Sequence, residues 1–139
     1  RDFWQSPLLV LHMLLHAVVG GSAFLLIVGL FWESISPMMT YLQNILIGGL
    51  VVHMISLAAE LIIPHPTADS HRTVKVITQG VFKLEFWGGV VFIGSVVPFL
   101  MLIFSFAPLI LAFSGLLVLI GIWHSVRIWV IAPQMIPLS

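Results

Sequence analysis

Six side chains able to hold or pass a proton lie in stretches that are otherwise apolar: His12, His16, His53, Glu60, His124 and Arg127. A polar group in hydrocarbon costs free energy, so each is a candidate for function. Their spacing groups them. His12 and His16 are four apart and share one face of a helix; His53 and Glu60 are seven apart and share another; Arg127 follows His124 by three. Counting helical rise inward from the end where the basic residues gather puts Glu60, Glu85 and Arg127 shallow. His12 and His124 come out deeper, and His16 and His53 near mid-membrane. If these faces turn inward, the groups form a ladder from one surface toward the bilayer centre. Histidine changes charge near neutrality, and a carboxylate facing an arginine stays ionised in a low dielectric, so the ladder suits a proton half-channel or a relay on the proton side of quinone chemistry.

Two other readings use the same residues. Buried histidines and Ser/Asn side chains also tie helices together by hydrogen bonds, and Glu60 and Arg127 can pair or snorkel near the span ends. Two histidines at matching depth can ligate a b-type haem, the pairs being His16 with His53 or His12 with His124. Gly20-Gly21 and Gly48-Gly49 would supply clearance for the macrocycle. Small residues including these, Gly88-Gly89, Gly94 and Gly115 serve equally to bring membrane helices close. The loop from Pro64 to His71 holds His65, Asp69 and His71, but Thr67 or Asp69 as a helix cap explains it without a metal. Phe92, Phe99, Met101, Phe104 and Phe106 read as packing or lipid-facing groups before they read as a slot for a quinone ring.

Composition dictates the elements that position these groups. The chain has 139 residues, 60% of them hydrophobic and 7% charged, with a mean hydropathy of +1.20, which excludes an ordinary soluble domain. Five basic residues balance five acidic ones, leaving no basic face for nucleic acid. Without cysteine, disulfides, thiolate-held iron–sulfur clusters and a cysteine nucleophile are excluded. Nothing resembles a nucleotide loop or a Ser/His/Asp arrangement. A spanning helix needs about 20 mostly apolar residues. Phe3 to Trp32 and Ser34 to Ala59 each hold one, while the uncharged run from Phe86 to Val126 is long enough to fold back at Ser105-Phe106-Ala107, with Pro108 opening the next helix. The expectation is an all-α integral membrane protein, a four-transmembrane-helix bundle with spans near 6–32, 38–63, 82–105 and 108–132. Residues 67–78 are expected to form a short amphipathic interfacial helix ending at Gly80. Arg1, Arg72, Lys75, Lys83 and Arg127 all favour one side, so both termini are expected to be cytoplasmic. Trp4, Trp32, Trp87 and Trp129 fit an aromatic belt, with Trp123 deeper. Beginning at Arg1 without a signal-peptide pattern, the chain is expected to be processed or part of a longer polypeptide.

Several runs carry a family resemblance. They are Trp4-Gln5-Ser6-Pro7-Leu8 leading to Gly20-Gly21-Ser22-Ala23, Glu60 followed by His65-Pro66-Thr67-Ala68-Asp69, Phe86-Trp87-Gly88-Gly89-Val90 with Gly94 and Pro98, and Arg127-Ile128-Trp129-Val130 with Pro133-Gln134 and Pro137. Together they resemble the NrfD/PsrC-like polysulfide reductase membrane subunits, most closely the quinol-oxidising core subunits of bacterial alternative complex III. Family members have two four-helix bundles, and residues 1–139 look like the second alone. The resemblance implies a multi-pass subunit of a bacterial inner-membrane redox complex, with no cofactor of its own and quinone or quinol nearby. Iron–sulfur clusters and c-type haems would sit in partner subunits, and the quinone pocket in the other bundle of the same subunit. What it leaves for this half is the proton path and a packing surface.

Overall fold

The computed structural model describes residues 4, 8–64 and 67–136 and is helical throughout, with no strand among them. Four segments are long and apolar enough to cross a membrane: Leu8–Phe31, Ser36–Ile62, Glu85–Phe104 and Pro108–Met135. We label α1 Leu8–Phe31, α2 Met39–Ile62, α3 Ala68–Thr78, α4 Glu85–Phe104 and α5 Pro108–Ile131. At 24 residues, α1, α2 and α5 each reach about 36 Å, enough for a hydrocarbon core of about 30 Å. Arg1, Gln5, Ser6, Pro7, His65, Pro66 and Pro137 lie outside the described residues.

The connections form where the sequence places breakers. Between α1 and α2 a tight turn closes through the Ile35 amide on the Trp32 carbonyl at 3.1 Å, and Pro37 lies in the 3-10 turn Ser36–Met38. Thr67 caps α3 by accepting the Ser70 amide at 3.1 Å, which decides between the two expected caps. The helix stops at Thr78, short of Gly80. Its inner face buries Ser70, Thr73 and Ile77 and packs on the 3-10 turn Ala132–Met135 that follows α5. Pro108 is the first residue of α5, as expected. Before it, the end of α4 is satisfied from α2. Gln43 Nε2 donates to the Leu102 carbonyl at 2.6 Å and the Ser105 carbonyl at 3.1 Å, two acceptors that a helix end leaves free.

Helix α4 departs from the sequence expectation. Glu85–Val96 is π-helical and only Val97–Phe104 is α-helical. The Val97 amide reaches the Phe92 carbonyl, and the Ser95 hydroxyl donates to the Val90 carbonyl, both five residues back. Pro98 brings no N–H to an α-type ladder, and Gly88, Gly89 and Gly94 lower the cost of a widened turn.

In the bundle, α1 packs on both α2 and α5, α5 also packs on α4, and α2 meets α4 only sparsely. Particular glycines make these crossings. Gly94 and Gly121 bring α4 and α5 into backbone contact, and a Cβ on Gly115 would run into the Ala23 carbonyl oxygen of α1. Gly21, Gly48 and Gly88 face open space and carry no such load. One apolar core gathers Val19, Leu26, Leu46, Leu50, Leu102 and Val118; a second, under α3, gathers Leu57, Ile77, Phe86, Val90, Ile128 and Trp129. Trp129 is thus a core residue rather than part of a belt, and the Trp4 indole N–H donates to its carbonyl at 2.7 Å. Both ends of the described chain therefore lie at the same end of the bundle.

Candidate functional site

His53 sits on α2 between Leu50 of the first core and Leu57 of the second, so it occupies the layer where the two apolar clusters meet. Opposite it are His12 and His16 of α1. The three imidazoles touch. Ring centroids are 5.1 Å apart for His16 and His53, 6.1 Å for His12 and His53, and 6.4 Å for His12 and His16. Their positions follow from helical spacing: four residues bring His12 and His16 to one face, and the α1–α2 packing brings that face to His53. His12 and His53 are each only 4% exposed.

Hydrogen bonding separates the three. His12 Nε2 pairs with the Ser56 carbonyl of α2 at 3.2 Å, and its ring stacks on Trp129 of α5 at an interplanar angle of 25°. His16 Nε2 and His53 Nδ1 are buried and have no hydrogen-bond partner. Such atoms cost free energy in a low dielectric, so the cluster contains an unsatisfied donor–acceptor capacity between two adjacent imidazoles. Glu60, 2% exposed, lies two turns along α2 on the same buried face as His53 and Ser56. His12, His53 and Glu60 therefore turn inward, as a ladder requires, while His16 is half-buried at the cluster's edge.

His124 and Arg127 do not join them. Arg127 Nη1 donates to both carboxylate oxygens of Glu85 on α4, at 2.7 and 2.5 Å, and His124 Nδ1 lies 2.9 Å from Glu85 Oε1. This trio is half-exposed, with Arg127 at 40%, His124 at 29% and Glu85 at 21% by side chain. One ladder of six thus becomes an interior imidazole cluster with Glu60 and a separate ion-paired cluster on the α4–α5 flank. The reason is local. Glu85 opens the π-helical stretch next to α5, within reach of a guanidinium that keeps part of its surface outside the bundle. Arg127 therefore takes Glu85, rather than Glu60, as its carboxylate.

Sequence reasoning counted Glu85 by depth but left it out of the candidate set, although it is the carboxylate that Arg127 takes. Gln43 was missed altogether; the available signal was an amide near the start of α2, at the end of the bundle where the α4–α5 turn was expected. The expected serine glue is mostly local, since Ser22 and Ser114 bond carbonyls four residues back on their own helices. As haem ligands, His16 and His53 would have to separate to admit a macrocycle between rings already in contact, and His124 is engaged by Glu85. Among the described residues no group of three or more His, Asp or Glu is disposed to hold a metal ion.

A lateral groove of ≈ 480 Å³ opens between α1 and α5, lined by Trp4, Leu9, His12, Met13, His16, Ser125, Val126, Trp129 and Val130. A smaller cavity of ≈ 160 Å³ lies in the sparse α2–α4 seam beside Phe86 and Ser95. No protein-family profile, curated protein or solved structure matches this chain.

Proposed function

We propose that this bundle is the proton-handling half of a membrane subunit in a quinol-linked respiratory oxidoreductase, of the NrfD/PsrC-like kind that the sequence resembles. The observation that carries the reading is the contact of His12, His16 and His53 across α1 and α2, with two buried ring nitrogens that have no partner. Neutral imidazole donates through one nitrogen and accepts through the other, so adjacent rings can hand a proton along by rotation. A cluster serving only as glue gains most when every nitrogen is paired, and this one is not. Glu60, buried toward the end of α2 shared with α3, supplies the carboxylate step between the cluster and that surface. In this reading the α3 end faces the cytoplasm, electrons move through iron–sulfur and c-type haem cofactors of partner subunits, and the bundle sits in a bacterial inner membrane.

The test is an intact mass of the native chain together with identification of what co-purifies. A heavier polypeptide with iron–sulfur and c-type cytochrome partners is the expected result. A stable species at 15.4 kDa without them would overturn the assignment. A reduced-minus-oxidised visible spectrum of the same material separates this reading from a b-type cytochrome, because bis-histidine haem is strongly coloured.

A further inference from the structure

A cleft of ≈ 530 Å³ opens between the end of α2 and α3, at the level where the spans stop. There α2 ends at Ile62, α4 begins at Glu85, and α3 lies between them in the chain. Two contacts hold α3 in place. Its inner face packs on the turn after α5, and the Trp87 indole N–H of α4 donates to the Thr78 carbonyl at 3.0 Å. One wall of the cleft is Leu61 and Ile62 with the following Ile63; the other is Thr67, His71 and Val74. Ile62 is 79% and Ile63 51% exposed, apolar surface suited to the boundary of headgroups and acyl chains. The Thr67 hydroxyl is already committed to Ser70, so His71 is the polar side chain of this lining that can turn to a ligand. Lys75 is exposed one helical turn on from His71, on the same side of α3. Arg72 lies further round the helix and reaches Asp69 at 3.8 Å. Among the described residues no ion pair engages Lys75 or Lys83, and Arg127 already takes Glu85, so this end of the bundle keeps unneutralised positive charge. The α1–α2 turn at the opposite end carries Glu33 and no basic residue.

We propose that this cleft holds one anionic phospholipid, with its phosphate against His71 and Lys75 and an acyl chain over Ile62 and Ile63. Charge selects an anion, since a basic residue near a membrane surface contributes about 1 kcal/mol of attraction to anionic lipid. The apolar wall selects an anion that carries a chain, because inorganic phosphate gains nothing from Leu61, Ile62, Ile63 and Val74. A zwitterionic lipid fills the same wall but brings its own cation to Lys75. Arg72 contributes less, because part of its charge is directed to Asp69. The occupied cleft ties the end of α2 to α3, the helix that covers the second apolar core. It uses none of the imidazoles of the interior cluster and does not rest on the quinol-linked reading.

The experiment places the full chain, with whatever co-purifies, in phosphatidylcholine vesicles that contain a trace of photoactivatable lipid. The probes are phosphatidylglycerol and phosphatidylcholine bearing the same diazirine-tagged acyl chain, and the labelled peptides are mapped. The expected result is label around Ile62, Ile63 and α3, roughly fivefold stronger with phosphatidylglycerol and not displaced by inorganic phosphate. Lys75→Gln should cut that label roughly fivefold, equivalent to about 1 kcal/mol, and Ile62→Asn should lower it with both probes. Lys83→Gln, on the α4 side of α3, should leave it within about twofold. All three side chains are exposed, and an unchanged melting midpoint and co-purification show that each variant folds. Equal labelling by the two probes, displacement by inorganic phosphate, or label indifferent to both Lys75→Gln and Ile62→Asn would overturn the site. Equal losses from Lys75→Gln and Lys83→Gln would do the same, because they report diffuse surface charge and not a built cleft. So would cross-linking to another polypeptide when Ile62 is replaced by photoreactive p-benzoylphenylalanine, since the cleft would then be covered by protein. None of these readouts depends on the identity of the co-purifying subunits, so the site and the respiratory assignment stand or fall separately.

Discussion

The two polar regions of this bundle treat their charges in opposite ways. On the α4–α5 flank, Glu85 receives two hydrogen bonds from Arg127 and a third contact from His124, and the trio is partly open to its surroundings. In the interior, His12, His16 and His53 are closer to the centre and less satisfied, with two nitrogens left without partners. A fully paired cluster has settled into one arrangement and contributes to stability; an incompletely paired one retains a choice of protonation and orientation. Groups that look equivalent by residue type thus divide into an ion-paired set and an incompletely paired one.

Stability measurements can break this division. Arg127→Leu leaves Glu85 with only His124 and should cost about 2 kcal/mol, read as a lower melting midpoint in detergent; an unchanged midpoint would remove the fastening role. A double-mutant cycle of Glu85→Gln with His124→Asn should show coupling of about 1 kcal/mol, since both residues share one carboxylate oxygen. Gln43→Leu strips the donors from the Leu102 and Ser105 carbonyls at the α4–α5 turn and should cost about 1 kcal/mol by the same assay. His53→Leu belongs at the bottom of the scale. It replaces a ring holding an unpartnered nitrogen by an apolar side chain, so stability should stay within about 0.5 kcal/mol of the parent. A loss comparable to that of Arg127→Leu would mean that the interior cluster is glue.

Much of the architecture was legible because hydrocarbon imposes a simple constraint: long uncharged runs interrupted at Pro37, Pro64 and Pro108 leave little choice of span or turn. Thr67 as one of two candidate caps, the shared face of His12 and His16, and the matching depth of His16 and His53 followed from local chemistry and helical spacing, whereas the grouping of His12 with His53 rather than His124 did not. The pairing of Arg127 was not legible. Depth along a helix gives no azimuth, and Glu60 and Glu85 were equivalent by depth. The π-helical turn escaped for a related reason, since α and π backbones draw on the same apolar residues and differ only in which carbonyl each amide reaches. Trp129 read as an interfacial aromatic because its position near a span end says nothing about whether it faces lipid or core.

In the proposed reading, the interior imidazoles carry protons while the flanking ion pair holds helices together. The most direct test is proton-coupled quinol turnover of the membrane complex carrying His53→Leu, with assembly and melting midpoint measured on the same preparation. The expected result is a loss of turnover of roughly tenfold or more, toward the span by which a positioned proton-transfer group accelerates a reaction, with assembly and midpoint preserved. Undiminished turnover with His53 gone, in an intact complex, would contradict it.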